Sequence, residues 1–129
     1  MHILRIVALW ALQILVGLLF VLVGTGKVFD SSWERNFARW GYPDGFYLVI
    51  GVLEAVGGAA MLVPRLTTCA ALLLVTIMAG AAVTHLAYGE TQRVSVPLVY
   101  LVIVALVGWL RRKSALRLRP SSPPARAVV

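Results

Sequence analysis

The sequence has few of the residues that catalytic and metal sites usually need. Its single cysteine, Cys69, excludes a disulfide framework and a Cys-x-x-Cys pair for thiol exchange. Its two histidines are His2 and His85. A metal centre would have only His85 and Glu54 as candidate ligands, and two ligands are too few. The sequence has no phosphate-binding loop, nucleophile elbow or dinucleotide fingerprint. We therefore expect no metal, no covalently bound cofactor and no catalysis by this chain alone.

Charge is also scarce, and apolar residues take its place. Charged residues make up 13% of the 129-residue chain and hydrophobic residues 60%, with a mean hydropathy of +0.90. Soluble domains do not have this composition, so an integral membrane protein is predicted. The length gives room for about four spans of roughly 20 residues. They must be helical, because lipid offers the backbone no hydrogen-bond partners. The predicted fold is an all-α bundle of four transmembrane helices in one domain.

Apolar runs place the four spans at about residues 5–28, 46–63, 66–88 and 94–110. The first run is too long for the apolar region of a signal peptide, and no small-residue cleavage site follows it, so a retained span is predicted. The transmembrane domain then covers residues 1–113. Residues 114–129 form a basic tail with Pro and Ser that we expect to be disordered.

An even number of spans puts both termini on one side of the membrane. With both termini inside, eight Lys and Arg residues lie on the cytoplasmic side, namely Arg5, Arg65, Arg111, Arg112, Lys113, Arg117, Arg119 and Arg126. Four lie outside, namely Lys27, Arg35, Arg39 and Arg93. The positive-inside rule therefore favours an N-in, C-in protein of the bacterial inner membrane. It explains the basic tail as a topology signal, compatible with anionic-lipid contact, rather than as a nucleic-acid site.

The first outer loop carries a helical pattern. Ser31 followed by Glu34 predicts a capping box, and Trp33, Phe37 and Trp40 recur on one helical face. A short amphipathic helix lying on the outer membrane interface is therefore predicted. We interpret its aromatic residues as an anchor belt, and a lid over a ligand site is the alternative.

Three ionisable residues, Lys27, Glu54 and His85, fall in or at the edge of three different spans. A charge at membrane depth costs on the order of 3 kcal/mol, so such residues usually face the bundle interior and pair with one another. Helical spacing places each of them on a stripe with small or polar residues. The stripes of the four spans are Gln13, Gly17, Phe20, Gly24 and Lys27; Tyr47, Gly51, Glu54, Gly58 and Met61; Leu74, Met78, Ala81, His85 and Tyr88; and Arg93, Pro97, Tyr100, Val104 and Gly108.

These stripes predict one buried polar cluster of Lys27, Glu54 and His85 in the outer half of the membrane. The residues expected to support it are Gln13, Trp40, Tyr47, Thr84, Tyr88 and Tyr100. Two interpretations stay open. The cluster is a polar-ligand or proton-handling site, as intramembrane ionisable residues generally are. Alternatively it is an interhelical lock, in which Lys27 pairs with Glu54 and no substrate is needed.

Several short motifs surround these residues, in a fixed order along about residues 17–110. They are Gly24-Thr25-Gly26-Lys27, Gly41-Tyr42-Pro43, Ile50-Gly51-Val52-Leu53-Glu54, Leu62-Val63-Pro64-Arg65, Met78-Ala79-Gly80-Ala81 and Thr84-His85. In order and spacing they resemble the DoxX-like family of small four-helix membrane proteins, in which Lys27, Glu54 and His85 match polar positions. The resemblance implies a four-helix bundle associated with redox biology. The family takes its name from a membrane subunit of a thiosulfate:quinone oxidoreductase, and other relatives are accessory proteins such as receptor-assembly chaperones.

Three functions follow as expectations. The first is an accessory subunit of a membrane protein complex, associated with redox chemistry and without chemistry of its own. The second is a subunit that contacts quinone through His85, Tyr88 and Trp40, since a quinone site needs an apolar slot and a few placed polar groups. The third is a transporter of protons or small solutes, which would have to form a homo-oligomer because the chain is too short for paired repeats. The expected partners are membrane lipids and other membrane subunits.

Overall fold

The computed structural model describes the backbone of residues 1–116 and the side chains of residues 1–113. Five α-helices follow one another, and a 3₁₀ turn at Thr91–Arg93 precedes the last. The helices are α1 (His2–Phe29), α2 (Ser32–Arg39), α3 (Phe46–Met61), α4 (Thr67–Ala87) and α5 (Ser95–Leu116). No strand occurs in this part of the chain, so the all-α prediction is confirmed.

The four apolar helices, α1, α3, α4 and α5, form an up-down-up-down bundle. α1 packs mainly on α3 and α5 mainly on α4, and contacts between α3 and α4 join the two pairs. Lys27 lies in the last turn of α1, and the adjoining end of the bundle is called the Lys27 end here. Gln13 reaches the residues where α3 ends and α4 begins, which defines the opposite, Gln13 end. α2 lies at the Lys27 end, in contact with α3.

Three segments are long and apolar enough to cross a membrane: α1, α4 and the segment from Thr91 to Lys113 that includes most of α5. α3 is apolar but has 16 residues, or about 24 Å at 1.5 Å per residue. A bilayer has a hydrocarbon core of roughly 30 Å. The helix ends at Met61, two residues before the predicted boundary, because Pro64 cannot continue it. A fourth full span and the N-in, C-in orientation therefore stay predictions.

α5 extends further than the predicted span, which ended at residue 110. It continues through Leu116 because Arg111, Arg112 and Lys113 are good helix formers and no Gly or Pro follows before Pro120. The first residues assigned to the basic tail are therefore helical. The rest of the predicted tail, residues 117–129, lies outside the described residues.

α1 and α3 approach each other closely because glycines face each other at two levels. A Cβ added to Gly58 would lie 2.6 Å from the Gly17 carbonyl oxygen, and one added to Gly51 would lie 2.8 Å from the Gly24 carbonyl oxygen. A larger residue would have to push backbone against backbone at either level. Such contacts between small residues are typical of helix pairs in membranes. The glycines on the stripes predicted for α1 and α3 are therefore the positions at which the two helices touch.

The middle of the bundle is apolar, and so is much of its outer surface. The interior is filled by Val16, Phe20, Met61, Ala70, Ala71, Leu74, Met78, Val104 and Val107. Large aliphatic side chains such as Leu15, Leu72 and Val102 point outward and are exposed on the surface of the bundle. A chain with apolar residues on both sides of its helices suits a lipid environment.

Candidate functional site

The Lys27–Glu54 ion pair joins α1 to α3 inside the bundle. Lys27 Nζ lies 2.6 Å from Glu54 Oε1 and 2.7 Å from Oε2, so one ammonium group satisfies both carboxylate oxygens. Glu54 is fully buried and Lys27 is 8% exposed. Gly51, one turn before Glu54, makes this geometry available, because a Cβ there would lie 3.1 Å from Lys27 Cβ. The structure thus brings together two of the three ionisable residues of the predicted cluster.

Trp33 of α2 covers the outer side of the pair. Lys27 Nζ lies 4.8 Å from the centroid of the Trp33 ring, within the range of a cation–π interaction. The lysine therefore points into the protein and not toward solvent. Its ammonium group interacts with a carboxylate and with an aromatic face.

α2 begins with a cap that differs from the predicted one. Ser31 makes no side-chain hydrogen bond at the helix start, so the capping box of Ser31 and Glu34 is wrong. Asp30 takes this role, because its Oδ1 accepts a hydrogen bond of 2.9 Å from the Ser32 backbone N–H. That hydrogen bond lowers the pKa of Asp30 below its ordinary value. The aspartate is one residue closer to α1 than the residue selected by the Ser-x-x-Glu pattern.

The aromatic face of α2 packs on protein. The Phe37 ring contacts five other aromatic rings at centroid distances between 5.4 and 6.5 Å, namely those of Trp33, Trp40, Tyr42, Phe46 and Tyr47. Phe37 and Trp40 are both buried. The predicted helix is confirmed, but its interpretation as a membrane anchor belt is wrong for these two residues. We call the rings of Phe37, Trp40, Tyr42, Phe46 and Tyr47 the aromatic cap, since they close the Lys27 end over the start of α3.

His85 belongs to a second polar group, next to the aromatic cap. Glu90 Oε2 accepts a hydrogen bond from His85 Nδ1 at 2.7 Å, and Glu90 Oε1 lies 2.5 Å from Arg39 Nη2. The Trp40 ring contacts the His85 ring edge to face at 5.3 Å. The hydrogen bond from His85 and the nearby Arg39 cation lower the pKa of Glu90. We call Arg39, His85 and Glu90 the Glu90 triad.

The predicted cluster of three therefore has to be corrected. Both hydrogen bonds that Glu54 accepts come from Lys27, whereas His85 pairs with Glu90. The buried face of α4 passes through Ala82 and Thr84 at this end, so His85 is turned away from the interior and toward the loop that carries Glu90. Sequence spacing within the spans could not have found Glu90, because it lies in a loop outside them.

The predicted supporting residues at the Lys27 end hold the aromatic cap in place. Tyr88 donates a hydrogen bond of 2.6 Å from its hydroxyl to the Trp40 carbonyl oxygen. The hydroxyls of Thr84 and Tyr42 lie 2.5 Å apart. Tyr47 contributes its ring to the cap. These contacts attach α2 and the following turn to the end of α4, and Tyr42 is the member that the sequence stripes missed.

Two other supporting residues lie elsewhere in the bundle. Tyr100 packs edge to face on Phe20, with 5.5 Å between ring centroids, in the apolar middle. Gln13 lies about four turns, or roughly 21 Å, from Lys27 along α1. Both were assigned to the Lys27 cluster, and for both the assignment is wrong, because a helix face extends over the full length of the bundle. Sharing a stripe does not mean sharing a site.

Gln13 is the centre of a separate polar group at its own end, the Gln13 node. Its Nε2 donates to the Met61 carbonyl oxygen at 2.6 Å and to Thr67 Oγ1 at 3.0 Å. Its Oε1 accepts a hydrogen bond of 2.7 Å from Arg111 Nε. One buried amide therefore joins α1, α3, α4 and α5. Sequence reasoning missed Thr67 and interpreted Arg111 only as part of the topology signal.

Two depressions on the surface of the described residues lie outside the ion pair. One open depression of about 300 Å³ is lined by Gly89, Glu90, Thr91, Gln92 and Arg93. A second, of about 320 Å³, is lined by Leu48, Val49, Val52 and Leu53 on the outer face of α3. Neither is lined by Lys27 or Glu54. Within residues 1–113, no three His, Cys, Asp or Glu side chains come together as a metal site would require.

Comparison with known proteins identifies a family. The sequence model described as the DoxX-like family matches residues 11–107, which is well over half of the chain and extends from α1 into α5. Lys27, Glu54, His85, Gln13 and Thr67 all lie within the matched region. Comparison with curated proteins and with solved structures yields no significant match.

Proposed function

The chain belongs to the DoxX-like family, and from that premise we propose that it is an accessory subunit of a membrane redox complex, in which the Lys27–Glu54 pair is an interhelical lock. The observation that carries the proposal is the closure of the pair. Both carboxylate oxygens are bound to one ammonium group, Trp33 covers that group, and neither depression reaches it.

A lock accounts for the energetics of the pair better than a ligand site does. Two buried charges that satisfy each other recover much of their desolvation cost, whereas removing one partner typically costs about 3–5 kcal/mol. A polar-ligand site would instead keep a donor or acceptor available beside a cavity. Lys27 and Glu54 use their charged atoms on each other.

The proposal includes four spans, with both termini on the cytoplasmic side of a bacterial inner membrane. α3 lies antiparallel to α1 and also contacts α4, so it occupies the same layer of the bundle as the three long segments. Short spans are accommodated by local thinning of the bilayer at a modest cost per ångström. The Lys and Arg distribution supports the orientation.

A double substitution that removes both charges distinguishes an interhelical lock from a site that takes part in the chemistry. Lys27→Met and Glu54→Gln are made singly and together in the native membrane, and Asp44→Asn, an exposed acid in the loop before α3, is the matched control. The readouts are protein abundance, co-purification of partner subunits after gentle extraction, and quinone-linked electron transfer.

If the Lys27–Glu54 pair is a lock, each single variant should lose abundance because it leaves one buried charge unpaired. The double variant recovers abundance, partner binding and electron transfer together. A double variant that folds and binds partners but has lost electron transfer would show that the pair takes part in the chemistry. Recovery of the wild-type protein only as a free species without partners would contradict the accessory role.

A quinone-contacting subunit is the second candidate, and one observation favours it. Trp40 is 7% exposed, and its Nε1 has no hydrogen-bond partner among the described residues. An indole N–H beside His85 is a donor suited to a quinone carbonyl. Trp40→Phe keeps the ring and removes the donor. Unchanged electron transfer and unchanged quinone content in the purified protein would remove this candidate.

A further inference from the structure

The charged side chains at the Gln13 end of the bundle belong to Arg and Lys, and none belongs to Asp or Glu. The five acidic residues of the chain are Asp30, Glu34, Asp44, Glu54 and Glu90. Four of them lie in the loops or in α2 at the Lys27 end, and the fifth pairs with Lys27. The Gln13 end carries Arg5 near the start of α1, Arg65 in the turn between α3 and α4, and Arg111, Arg112 and Lys113 in α5. No carboxylate side chain neutralises this end.

Arg111 is a cation of this end that residues of another helix hold in a defined orientation. Its Nε is bound to Gln13 Oε1, and its guanidinium carbon lies 4.4 Å from the centroid of the Trp10 ring. Gln13 is fixed in turn, because its amide nitrogen is bound to the Met61 carbonyl and to Thr67. Gln13 therefore holds the Nε edge of the guanidinium and Trp10 covers one of its faces, whereas no hydrogen bond within the described residues holds the Nη edge.

The Nη edge contains a buried donor that lacks a partner. Arg111 Nη2 is shielded from solvent and has no hydrogen-bond partner among the described residues. A buried donor that is left unpaired costs about 1–3 kcal/mol, and more when it is charged. The sequence beyond Glu90 contains no Asp or Glu, so the rest of the chain cannot supply a carboxylate side chain either. Arg111 as a whole is only partly buried, so its guanidinium borders the surface, and a small shift of the side chain would let an anion from outside the chain satisfy this donor.

We propose that Arg111, stacked on Trp10 and oriented by Gln13, binds the phosphate of an anionic phospholipid headgroup. A guanidinium presents parallel N–H donors that match two phosphate oxygens, which a lysine ammonium cannot do. The surrounding Arg and Lys residues favour a lipid with net negative charge. The site goes beyond the lock function, since it lies at the other end of the bundle.

The surroundings of Arg111 place it at the depth of a headgroup. Trp10 and Trp109 are both exposed at this end, and Arg112 lies over the Trp109 ring at 3.8 Å. Tryptophan is enriched where the hydrocarbon core meets the headgroups. The level of the node is also where α3 ends and α4 begins, next to Pro64 and Arg65. A lipid phosphate is the anion found at this depth, with its acyl chains along the exposed apolar faces of α1 and α5.

The test uses the full chain purified in a nonionic detergent, with thermal unfolding followed as lipid is added. The probes are phosphatidylglycerol, phosphatidylcholine and inorganic phosphate. Arg111→Lys keeps the charge and removes the fork, and Lys113→Gln, which removes an exposed cation two residues away, is the matched control. We expect phosphatidylglycerol to raise the Tm of the wild type in a saturable way. The half-saturating concentration should rise about tenfold in Arg111→Lys and stay within about twofold in Lys113→Gln.

Each other outcome would overturn the proposal. An equal loss in both variants would mean that charge alone attracts lipid, and equal stabilisation by phosphatidylcholine would remove the need for an anionic headgroup. Equal stabilisation by inorganic phosphate would assign the site to a soluble phosphate. If Arg111→Lys has lost its helix content, Trp10→Leu provides a second variant that leaves Arg111 bound to Gln13. Unchanged phosphatidylglycerol binding in Trp10→Leu would then contradict the stacked geometry.

Discussion

At the scale of single residues, most buried polar side chains of this bundle are satisfied by one another, and the exceptions within the described residues are Trp40 Nε1 and Arg111 Nη2. Lys27 has Glu54 and the Trp33 face, Gln13 has three partners, and His85 has Glu90. Burying a polar group in an apolar medium costs free energy unless a hydrogen bond replaces the water that is lost. Each of these side chains therefore contributes a constraint on which helices lie next to each other, because its partner is on another element or in a loop.

Glu90 leads to a prediction about pH. Its pKa is lowered in the folded protein because its carboxylate accepts a hydrogen bond from His85 and lies beside the Arg39 cation. A lowered folded-state pKa means that the carboxylate stabilises the fold at pH values above its ordinary value of 4.5. That contribution is lost as the pH falls below 4.5 and through the folded-state value. We expect the Tm to decrease with falling pH in this range, and Glu90→Gln to flatten the decrease.

The pH prediction is checked by thermal unfolding in detergent between about pH 3 and pH 7. Glu34→Gln is the control, since Glu34 is an exposed acid on α2 without an ion pair within the described residues. Its pH profile should follow that of the wild type. A Glu90→Gln profile that follows the wild type as well would mean that the Glu90 triad does not stabilise the folded state.

At the scale of helices, sequence spacing predicted some buried faces and failed at others for a physical reason. Steps of four and three residues describe a repeat of 3.5, whereas a straight helix has 3.6 residues per turn, so the stripe drifts about 20° with each heptad. All five residues of the α1 stripe are buried. In α4 the stripe is right at Leu74 and Met78 but has drifted by Tyr88, which is 51% exposed, and the buried face is at Ala82 and Thr84 instead.

The partners of a side chain were harder to predict than its burial. Lys27 and Glu54 could be paired from the sequence because the predicted orientation places both residues in the outer half of the membrane. Glu90 and Tyr42 lie in loops, where no periodicity fixes which way a side chain points. Thr67 and Arg111 lie in helices, but their contact with Gln13 depends on the level at which α4 and α5 pack, and a single sequence does not encode that level in any visible pattern.

The contact between α1 and α3 can be tested by the same substitution at two glycines in one turn of α1, with Gly26 as the control for Gly24. A Cβ at Gly24 would collide with backbone atoms of Ala55 and Gly51, whereas a Cβ at Gly26 meets nothing within 4 Å. Gly24→Ala should destabilise the protein by about 1–3 kcal/mol, because the backbone of α3 has to move. Gly26→Ala should be neutral or stabilising by about 0.5–1 kcal/mol, since alanine favours the helix.

Reversible unfolding in mixed micelles measures both glycine variants against the wild type. The two substitutions are chemically identical and lie two residues apart, so any difference between them reports the contact with α3. Equal stability of the two variants would show that α1 and α3 can separate by a few tenths of an ångström without loss. In that case the lock would depend on the charges of Lys27 and Glu54 alone.

At the scale of the whole molecule, the bundle is held at its two ends and filled with apolar side chains between them. The Lys27 end has the ion pair, the aromatic cap and the Glu90 triad, and the Gln13 end has a single amide that joins its own helix to three others. Burial of apolar surface alone gives little preference for one rotation of a helix over another in lipid, because lipid tails are as apolar as the core. The close glycine contacts between α1 and α3 and the polar contacts at both ends supply that preference for the helices that they join.

The Gln13 node can be tested by one substitution made at two positions of α4. Thr67 accepts a hydrogen bond from Gln13 and donates to the Met61 carbonyl, whereas Thr76 donates to Leu72 in its own helix on the exposed side. Thr67→Val should destabilise the protein by about 1–3 kcal/mol, because it removes partners from buried groups of two other helices. Thr76→Val should change stability by less than about 0.5 kcal/mol.

Unfolding monitored at both ends of the bundle, by one probe near Trp10 and one near Trp33, should show the loss from Thr67→Val at both probes if the four helices unfold as one unit. A loss confined to the Trp10 probe would mean that the two ends are stabilised independently, and that the Gln13 node holds only the turn between α3 and α4.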